Sequence, residues 1–151
     1  MIRYRRPKQD DPIIYQLIKQ ELVPYSHLST QELNQVISDL PKRMSRGTTL
    51  VSSLQYESDP IAFIHFMLHG KLLYIDMIAV SAQYRRRQIG KALLAHAEHF
   101  AASRGCTSSK LTVEQGNTRA ERFYVNFGYT KTKNLSQIQC FEMKKNLEYR
   151  F

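Results

Sequence analysis

The chain has 151 residues, of which 42% are hydrophobic and 23% charged, and this is the size and composition of one globular domain with its own core. No apolar run approaches the roughly 20 residues that span a bilayer, and the basic N-terminus lacks the apolar stretch of a secretory signal. We therefore expect a single domain over residues 1–151, no membrane partner and a cytoplasmic location. The formal net charge of +9 favours an anionic partner.

The first third of the chain predicts one short strand and two helices. Residues 1–6 alternate enough in hydrophobicity to form a strand. A helix is expected to begin at residues 10–12, since acidic residues and proline favour the first turn, and to end at Pro24. Residues 29–32 offer capping residues for a second helix, which Pro41 should stop.

Three strands joined by short turns are predicted next, over residues 48–55, 61–68 and 72–80. Short connections between consecutive strands favour an antiparallel meander. His65 lies inside the second of these strands, and we interpret it as a core or sheet-face histidine rather than a catalytic one.

The second half of the chain predicts a helix over residues 89–104, ended by Gly105, and then a strand over 109–114. A helical crossover between two strands makes them parallel, with a right-handed connection. A last helix ends near Gly128 and precedes a closing pair of strands over 130–133 and 138–144.

The stretch from residue 72 to residue 94 reads as an apolar strand, a basic turn and the start of an amphipathic helix. A helix N-terminus presents unpaired N–H groups and a partial positive charge. Four basic residues surround this one, and together they indicate a site for a phosphate or pyrophosphate: Arg85, Arg86, Arg87 and Lys91. A solvated basic turn is the alternative. Neither a P-loop nor a dinucleotide fingerprint is present.

The same stretch resembles the phosphate-binding turn of the GNAT superfamily of N-acetyltransferases, in which a strand ending in Val runs into [QR]xxGx[GA] and a helix. Aligned on Val80, Arg85 takes the leading basic position, Gln88 the first glycine and Gly90 the second. Gln88 departs from the pattern. If this position needs a positive φ, glutamine raises the conformational free energy of the turn by roughly 1 kcal/mol relative to glycine. At a negative φ the difference is small, and we expect a negative φ.

Residues 117–129 resemble the closing motif of that superfamily, NxxAxxFYxxxGF, with Tyr for the final Phe. The matching positions are Asn117, Ala120, Phe123, Tyr124, Gly128 and Tyr129. An aromatic core stripe is the alternative interpretation of this spacing. The two motifs occur in the family's order and separation, and the resemblance extends over residues 2–147.

The resemblance implies an α+β fold, with a six- to seven-stranded, mostly antiparallel mixed sheet and about four helices. It also implies parallel fourth and fifth strands that splay apart, with acetyl-CoA in the gap. The implied activity is direct transfer of an acetyl group from acetyl-CoA to a primary amine. The implied cofactor-binding residues are Ile78, Ala79, Val80, Arg85, Arg86, Arg87, Gln88, Ile89, Gly90, Lys91, Ala92, Asn117, Ala120, Phe123 and Tyr124.

Three roles in catalysis follow from the resemblance. The backbone N–H of Ile78 is the candidate donor to the developing oxyanion, and Tyr124 matches the family's tyrosine acid. Asp76 and Glu114 are candidate bases. Pairing with an arginine is the alternative for Asp76 and exposure at a strand end is the alternative for Glu114. A third possibility is that water carries the proton without a dedicated base.

The acceptor amine cannot be identified from these residues. Residues 24–29 fall where the family's acceptor loops lie, so we expect them to tune specificity. The rival function is a module of the same fold that binds CoA, or nucleic acid, without transferring acetyl. The scattered basic residues match no nucleic-acid-binding motif, and we expect no such partner. Cys106 and Cys140 lack metal or disulfide spacing, so we expect reduced thiols, no metal, and a monomer or homodimer.

Overall fold

A computed structural model describes residues 1–147, which form one seven-stranded sheet with helices on both faces. The strands are β1 (Ile2–Tyr4), β2 (Thr48–Ser53), β3 (Pro60–His69), β4 (Leu72–Val80), β5 (Ser108–Glu114), β6 (Thr130–Leu135) and β7 (Cys140–Asn146). The helices are α1 (Pro7–Leu17), α2 (Thr30–Met44), α3 (Ile89–Ala102) and α4 (Thr118–Asn126). The predicted α+β fold is confirmed. None of the described helices is long and apolar enough to cross a membrane.

The sheet has the strand order β1-β2-β3-β4-β5-β7-β6, and every neighbouring pair is antiparallel except β4 and β5. The parallel pairing of β4 with β5 joins only Leu72–Tyr74 to Ser108–Lys110. β5 continues beside β7 as far as Glu114, and β4 continues beside β3 as far as Val80. The two parallel strands therefore diverge beyond Tyr74, as predicted, and open a gap in the middle of the sheet.

Two apolar cores lie on opposite faces of the sheet. On the α1–α2 face, Ile14, Leu40 and Met44 pack against Phe63 and Met77, among others. On the α3–α4 face the core is larger, and it includes residues of α3, α4 and the five central strands, such as Ile64, Ile75, Leu93, Leu111, Tyr124 and Met143. The gap between β4 and β5 therefore lies between a helical layer on each side.

The first helix begins earlier than predicted, at Pro7 rather than at residues 10–12. Asp10 is fully buried and its carboxylate accepts hydrogen bonds of 2.7 and 3.0 Å from the guanidinium of Arg3. It also accepts a 2.7 Å bond from the backbone N–H of Arg6, just before the helix. The acidic residue thus satisfies the helix start from inside the first turn, with Pro7 at the position that needs no donor.

Pro41 does not stop the second helix, contrary to the prediction. α2 begins as predicted, with Ser29 and Glu32 exchanging the two hydrogen bonds of a capping box. It then continues through Pro41 to Met44. Leu40 and Met44, each 1% exposed, are buried in the α1–α2 core, and this packing offsets the backbone bond that proline cannot make.

Candidate active site

The backbone groups on the β4 side of the gap follow from its pairing with β3. The N–H of Ser81 donates a 2.9 Å hydrogen bond to the carbonyl of Ile61. Because antiparallel pairs alternate between bonded and non-bonded, Ala79 also bonds to β3, whereas Ile78 and Val80 direct their N–H and C=O groups into the gap. Ala79, which the resemblance implies at the cofactor, bonds to β3 and buries its side chain in the α1–α2 core.

The β5 side of the gap presents a matching row of backbone N–H and C=O groups. The N–H of Gln115 donates a 2.8 Å hydrogen bond to the carbonyl of Gln139, in continuation of the β5–β7 ladder. The same alternation makes Val113 bond to β7 and leaves the backbone groups of Thr112 and Glu114 directed towards β4. An extended ligand with amide groups can pair with these two rows as an added strand does.

The turn from β4 into α3 contains two residues with left-handed backbone conformation. Arg86 has φ 64° and Gln88, the N-cap of α3, has φ 60° and ψ 21°. The prediction of a negative φ at Gln88 is therefore wrong. Left-handed residues alternating with ordinary ones direct successive N–H groups to one side, which forms a concave site for an anion. The conformation costs roughly 1 kcal/mol at a non-glycine residue.

The basic side chains of this turn divide into two groups. Arg85 forms an ion pair with Glu21, which lies in a single π-helical turn, Ile18–Leu22, directly after α1. Its guanidinium therefore ties the turn to the segment after α1. The other three basic side chains are exposed, namely Arg86, Arg87 and Lys91. They remain available to an anion at the start of α3.

The two sequence motifs pack against each other. A Cβ atom built on Gly90 would lie 3.5 Å from the ring of Phe123 and 3.5 Å from the side chain of Val80. Asn117 caps α4, since its Oδ1 accepts a 3.2 Å hydrogen bond from the N–H of Ala120. The start of α3, the end of β4 and α4 therefore meet at one point beside the gap.

Tyr124 is 7% exposed, and its ring lies edge-on to the rings of Phe123 and Tyr129 at 5.1 and 5.8 Å. Burial raises the pKa of the Tyr124 phenol above its usual 10, so the group keeps its proton at neutral pH. Its hydroxyl forms no hydrogen bond with the residues that the structure describes, whereas the Tyr129 hydroxyl bonds to both Glu98 and Ser109. Tyr124 thus has a free proton donor and Tyr129 does not.

Asp76 is paired with an arginine, the alternative that the sequence left open. Its two carboxylate oxygens accept hydrogen bonds of 2.9 and 2.5 Å from the guanidinium of Arg43, at the end of α2. The Asp76 side chain is only 5% exposed. Because the guanidinium engages both oxygens of this carboxylate, the geometry disfavours Asp76 as the base.

Glu114 ends β5 with its side chain on the α1–α2 face, opposite to the buried Leu111 and Val113. It forms no salt bridge among residues 1–147 and is half-buried. Its carboxylate lies beside the thiol of Cys140 on β7, and burial together with this charge raises the pKa of that thiol to about 11. Glu114 therefore lies at the gap without a cationic partner, next to a thiol that stays protonated.

A segment that we name the strap, residues 18–28, crosses the open end of the gap. Beyond the Glu21 contact with Arg85, the Nε2 of His27 lies 2.7 Å from the carbonyl oxygen of Gln115, in the β5–α4 turn. The guanidinium of Arg119 in α4 lies 5.7 Å from the ring centre of Tyr25. The sequence predicted an acceptor loop over residues 24–29, most of which lie in the strap, but it did not predict these contacts, because each partner is more than 60 residues away along the chain.

Comparison with known proteins accounts for this arrangement. The sequence matches the model of the acetyltransferase (GNAT) family over residues 13–129, which is most of the chain. The chain belongs to the GNAT family of acetyltransferases. The resemblance seen in the two motifs is thereby confirmed, and the gap, the turn and α4 lie within the matched region.

Individual proteins similar to this chain share less than a third of its residues. An aminoglycoside N(6')-acetyltransferase type 1 of Klebsiella aerogenes is 29% identical over 72 residues, which is 48% of this chain and 45% of that protein. The match therefore spans about half the length of this curated relative. Ard1 from Thermoplasma volcanium has a TM-score of 0.76 at 22% identity, covering 98% of this chain and 97% of its own. PaiA N-acetyltransferase from Thermoplasma acidophilum, in complex with coenzyme A, has a TM-score of 0.75 at 18% identity, covering 97% and 98%.

Proposed function

We propose that this protein moves the acetyl group of acetyl-CoA directly to a primary amine. The observation that carries the proposal is the gap between β4 and β5, lined by unpaired backbone groups and ending at an anion-binding turn. A thioester with a long amide-bearing arm and a pyrophosphate fits both features at once. The family membership supports the same reaction.

The residues present fit acetyl-CoA. The backbone groups of Ile78 and Val80 would pair with the amides of the pantetheine arm. The N–H groups from Arg86 to Lys91, including those of Ile89 and Gly90, would hold the pyrophosphate at the start of α3. The predicted contacts of Ala92 in α3 and of Asn117, Ala120 and Phe123 in α4 remain part of the proposal, since these residues line the same corner.

Three groups of this chain would serve the transfer. The N–H of Ile78 is directed into the gap, where it can stabilise negative charge on the thioester oxygen as the amine attacks. Glu114 would accept the proton that the ammonium must lose to become a nucleophile. Tyr124, protonated and without another partner, would donate a proton to the departing thiolate of CoA.

The acceptor would enter from the α1–α2 face, below the strap, because α3, whose start would hold the pyrophosphate, packs on the opposite face of the sheet. One relative is named for aminoglycosides, and a cationic amine of that kind is compatible with the free carboxylate of Glu114. A cytoplasmic location, where acetyl-CoA is available and thiols stay reduced, belongs to the same proposal.

The test has two stages. Calorimetric titration with CoA and acetyl-CoA should show binding, and acetyl-CoA incubated with a panel of amines should release free thiol. Amino acids, polyamines, aminoglycosides and peptides with free α- or ε-amines make up the panel, with mass detection of each acetylated product. Binding without transfer to any amine would favour a module that only binds CoA. No binding at near-millimolar CoA would refute both the transferase and the CoA-binding module.

A further inference from the structure

β4 contains a bulge next to the groups that line the gap. In its pairing with β3, Met77 is opposite His65 and Ile75 is opposite Phe66, so Asp76 has no partner of its own. One extra residue on one strand is the defining feature of a β-bulge. The bulge lies two residues before Ile78.

The bulge reverses which residues of β4 face each side. Before it, Ile75 packs in the α3–α4 core, and after it, Met77 and Ala79 pack in the α1–α2 core. A change of register by one residue also exchanges the backbone groups that bond to the neighbouring strand. Ile78 and Val80 therefore present their N–H groups to the gap only because Asp76 is looped out.

An ion pair holds the looped-out residue. Both oxygens of Asp76 are bound by the guanidinium of Arg43, at 2.9 and 2.5 Å, and the Asp76 side chain is 5% exposed. Arg43 lies in the last turn of α2, and the pair therefore connects that helix to the bulge. The Arg43 side chain is 40% exposed, but removing its guanidinium would leave the shielded Asp76 carboxylate without its cation, which is unfavourable.

His65 lies on the other side of the same carboxylate. It is fully buried, its Nδ1 is 2.7 Å from Oγ1 of Thr49, and its Nε2 is 3.8 Å from Oδ2 of Asp76. Among residues 1–147 this Nε2 is the buried side-chain polar atom without a hydrogen-bond partner. A lone pair on Nε2 would face the carboxylate, so the favoured tautomer carries its proton on Nε2 and accepts the Thr49 hydroxyl hydrogen on Nδ1.

We propose that Arg43 is a positioning residue that fixes the bulge at Asp76 and thereby aims the N–H of Ile78 at the reacting carbonyl. The proposal rests on the proposed function for its catalytic consequence. It gives Asp76 a role other than that of base, and it makes the end of α2 part of the machinery that holds the oxyanion donor. On its other side the carboxylate lies 3.8 Å from Nε2 of the buried His65, without a hydrogen bond.

The kinetic test replaces Arg43 by methionine, which keeps much of the apolar stem and removes the guanidinium. Turnover should fall about ten- to hundredfold, because displacing a reacting group by about 1 Å has this effect. The Michaelis constant for acetyl-CoA and its calorimetric affinity should stay within about twofold, because the phosphate turn is untouched. Lys42→Met, an equal loss of charge at the neighbouring exposed residue, should leave turnover unchanged. Arg43→Lys, which keeps the charge without the fork, should restore part of the turnover.

Amide hydrogen exchange tests the positioning itself, independently of any reaction. The N–H groups of Met77 and Ala79 bond to β3 beyond the bulge, and Arg43→Met should speed their exchange at least about tenfold relative to Ile64 of β3, which bonds to Leu50 of β2 instead. If this variant does not fold, Asp76→Asn is measured in its place. Unchanged exchange at both amides would overturn the proposal. Faster exchange in a protein that transfers acetyl to no amine would keep the positioning role and refute only the proposed function.

Discussion

The guanidinium of Arg85 pairs with the carboxylate of Glu21, so the first arginine of the turn between β4 and α3 anchors the strap. Arg87, two residues later, is exposed, with its guanidinium 5.4 Å from the ring centre of Tyr84. The two arginines, which the sequence presents as equivalent, therefore have different partners. A phosphate at the start of α3 can recruit Arg87 without breaking an ion pair.

Arg87→Ala should weaken CoA binding by about threefold to tenfold at low salt, since a hydrogen bond to a charged group contributes roughly 1 kcal/mol or more. The difference should shrink at 0.5 M salt, which shortens the Debye length to about 4 Å. Calorimetric titration of both proteins at two salt concentrations measures it. Lys133→Ala, an equal loss of charge on the exposed β6, serves as the control. Equal losses in the two variants would show a general charge effect and no local contact.

Gln88→Gly should stabilise the protein by about 0.5–1 kcal/mol, because glycine adopts the observed φ of 60° without strain. Affinity for CoA should stay within a few-fold, since glycine can keep the same backbone conformation and its N–H. Chemical denaturation of the two proteins measures the difference. Arg87→Gly, at a neighbouring position outside the left-handed region, should give no gain. A loss of stability on Gln88→Gly would show that the glutamine side chain contributes more than its backbone costs.

The turn also shows how far the sequence could predict the site. The motif placed β4 and the start of α3 correctly, because strand propensity and helical periodicity are local properties. The φ of Gln88 depends on how β4 must reverse into α3, and it was predicted with the wrong sign. The pairing of Asp76 joins residues 33 positions apart, and local pattern offered only the possibility of an arginine partner.

The predicted bounds of α1 and α2, in the N-terminal third of the chain, were also wrong for reasons of tertiary packing. Pro41 carries a strong local signal against a helix, yet burial of Leu40 and Met44 extends α2 past it. The ion pair of Arg3 with Asp10 moves the start of α1 in the same way. Tertiary contacts of this kind outweigh propensities, which amount to a few kcal/mol at most.

The buried His65 should make stability depend on pH. Burial lowers its pKa below the usual 6.5, although Asp76 opposes this, so folding favours the neutral ring. The groups that face it are Thr49, Asp76, the guanidinium of Arg43 and the backbone carbonyls of Arg43 and Arg46. A lowered folded pKa means that this contribution is complete above about pH 6.5 and is lost as pH falls below it.

We expect His65→Asn to remove a loss of about 1 kcal/mol between pH 7 and pH 5.5. Denaturant unfolding of wild type and variant at pH 7 and pH 5.5 gives the two changes in unfolding free energy. Carboxylates that titrate in both proteins contribute equally to the two changes, so they cancel in the comparison. His96→Asn, at an exposed position of α3, is the control and should leave the pH dependence unchanged. Parallel pH profiles for wild type and His65→Asn would show that the ring keeps its ordinary pKa in the fold.

Glu114→Gln should lower turnover with a cationic amine at pH 7 by about a hundredfold, as expected for loss of a general base. The deficit should shrink as pH approaches the pKa of the amine, because the solvent then supplies the neutral nucleophile. Rates from thiol release across pH 7 to 10 measure this. Glu142→Gln, on β7 where its carboxylate pairs with Lys110, is the matched control. A deficit that stays constant with pH would assign Glu114 to acceptor binding and leave water as the base.

Tyr124→Phe should lower turnover by about a hundredfold while leaving the Michaelis constant for acetyl-CoA and the unfolding free energy nearly unchanged. The ring contacts with Phe123 and Tyr129 survive, and the lost hydroxyl has no hydrogen-bond partner among the described residues. An interaction formed only as the thiolate departs affects turnover and not ground-state binding.

Tyr129→Phe is the matched control for this substitution, one ring away. Its hydroxyl lies 2.6 Å from Oγ of Ser109 and donates a 2.8 Å hydrogen bond to Glu98, which also accepts from Lys145. Loss of that hydroxyl leaves buried groups without a partner and should cost about 1–3 kcal/mol of stability with little change in turnover. A loss of turnover in Tyr124→Phe together with a loss of stability in Tyr129→Phe would identify Tyr124 as the acid and Tyr129 as a core aromatic. Full activity in Tyr124→Phe would instead assign Tyr124 to packing and leave the thiolate to be protonated by water.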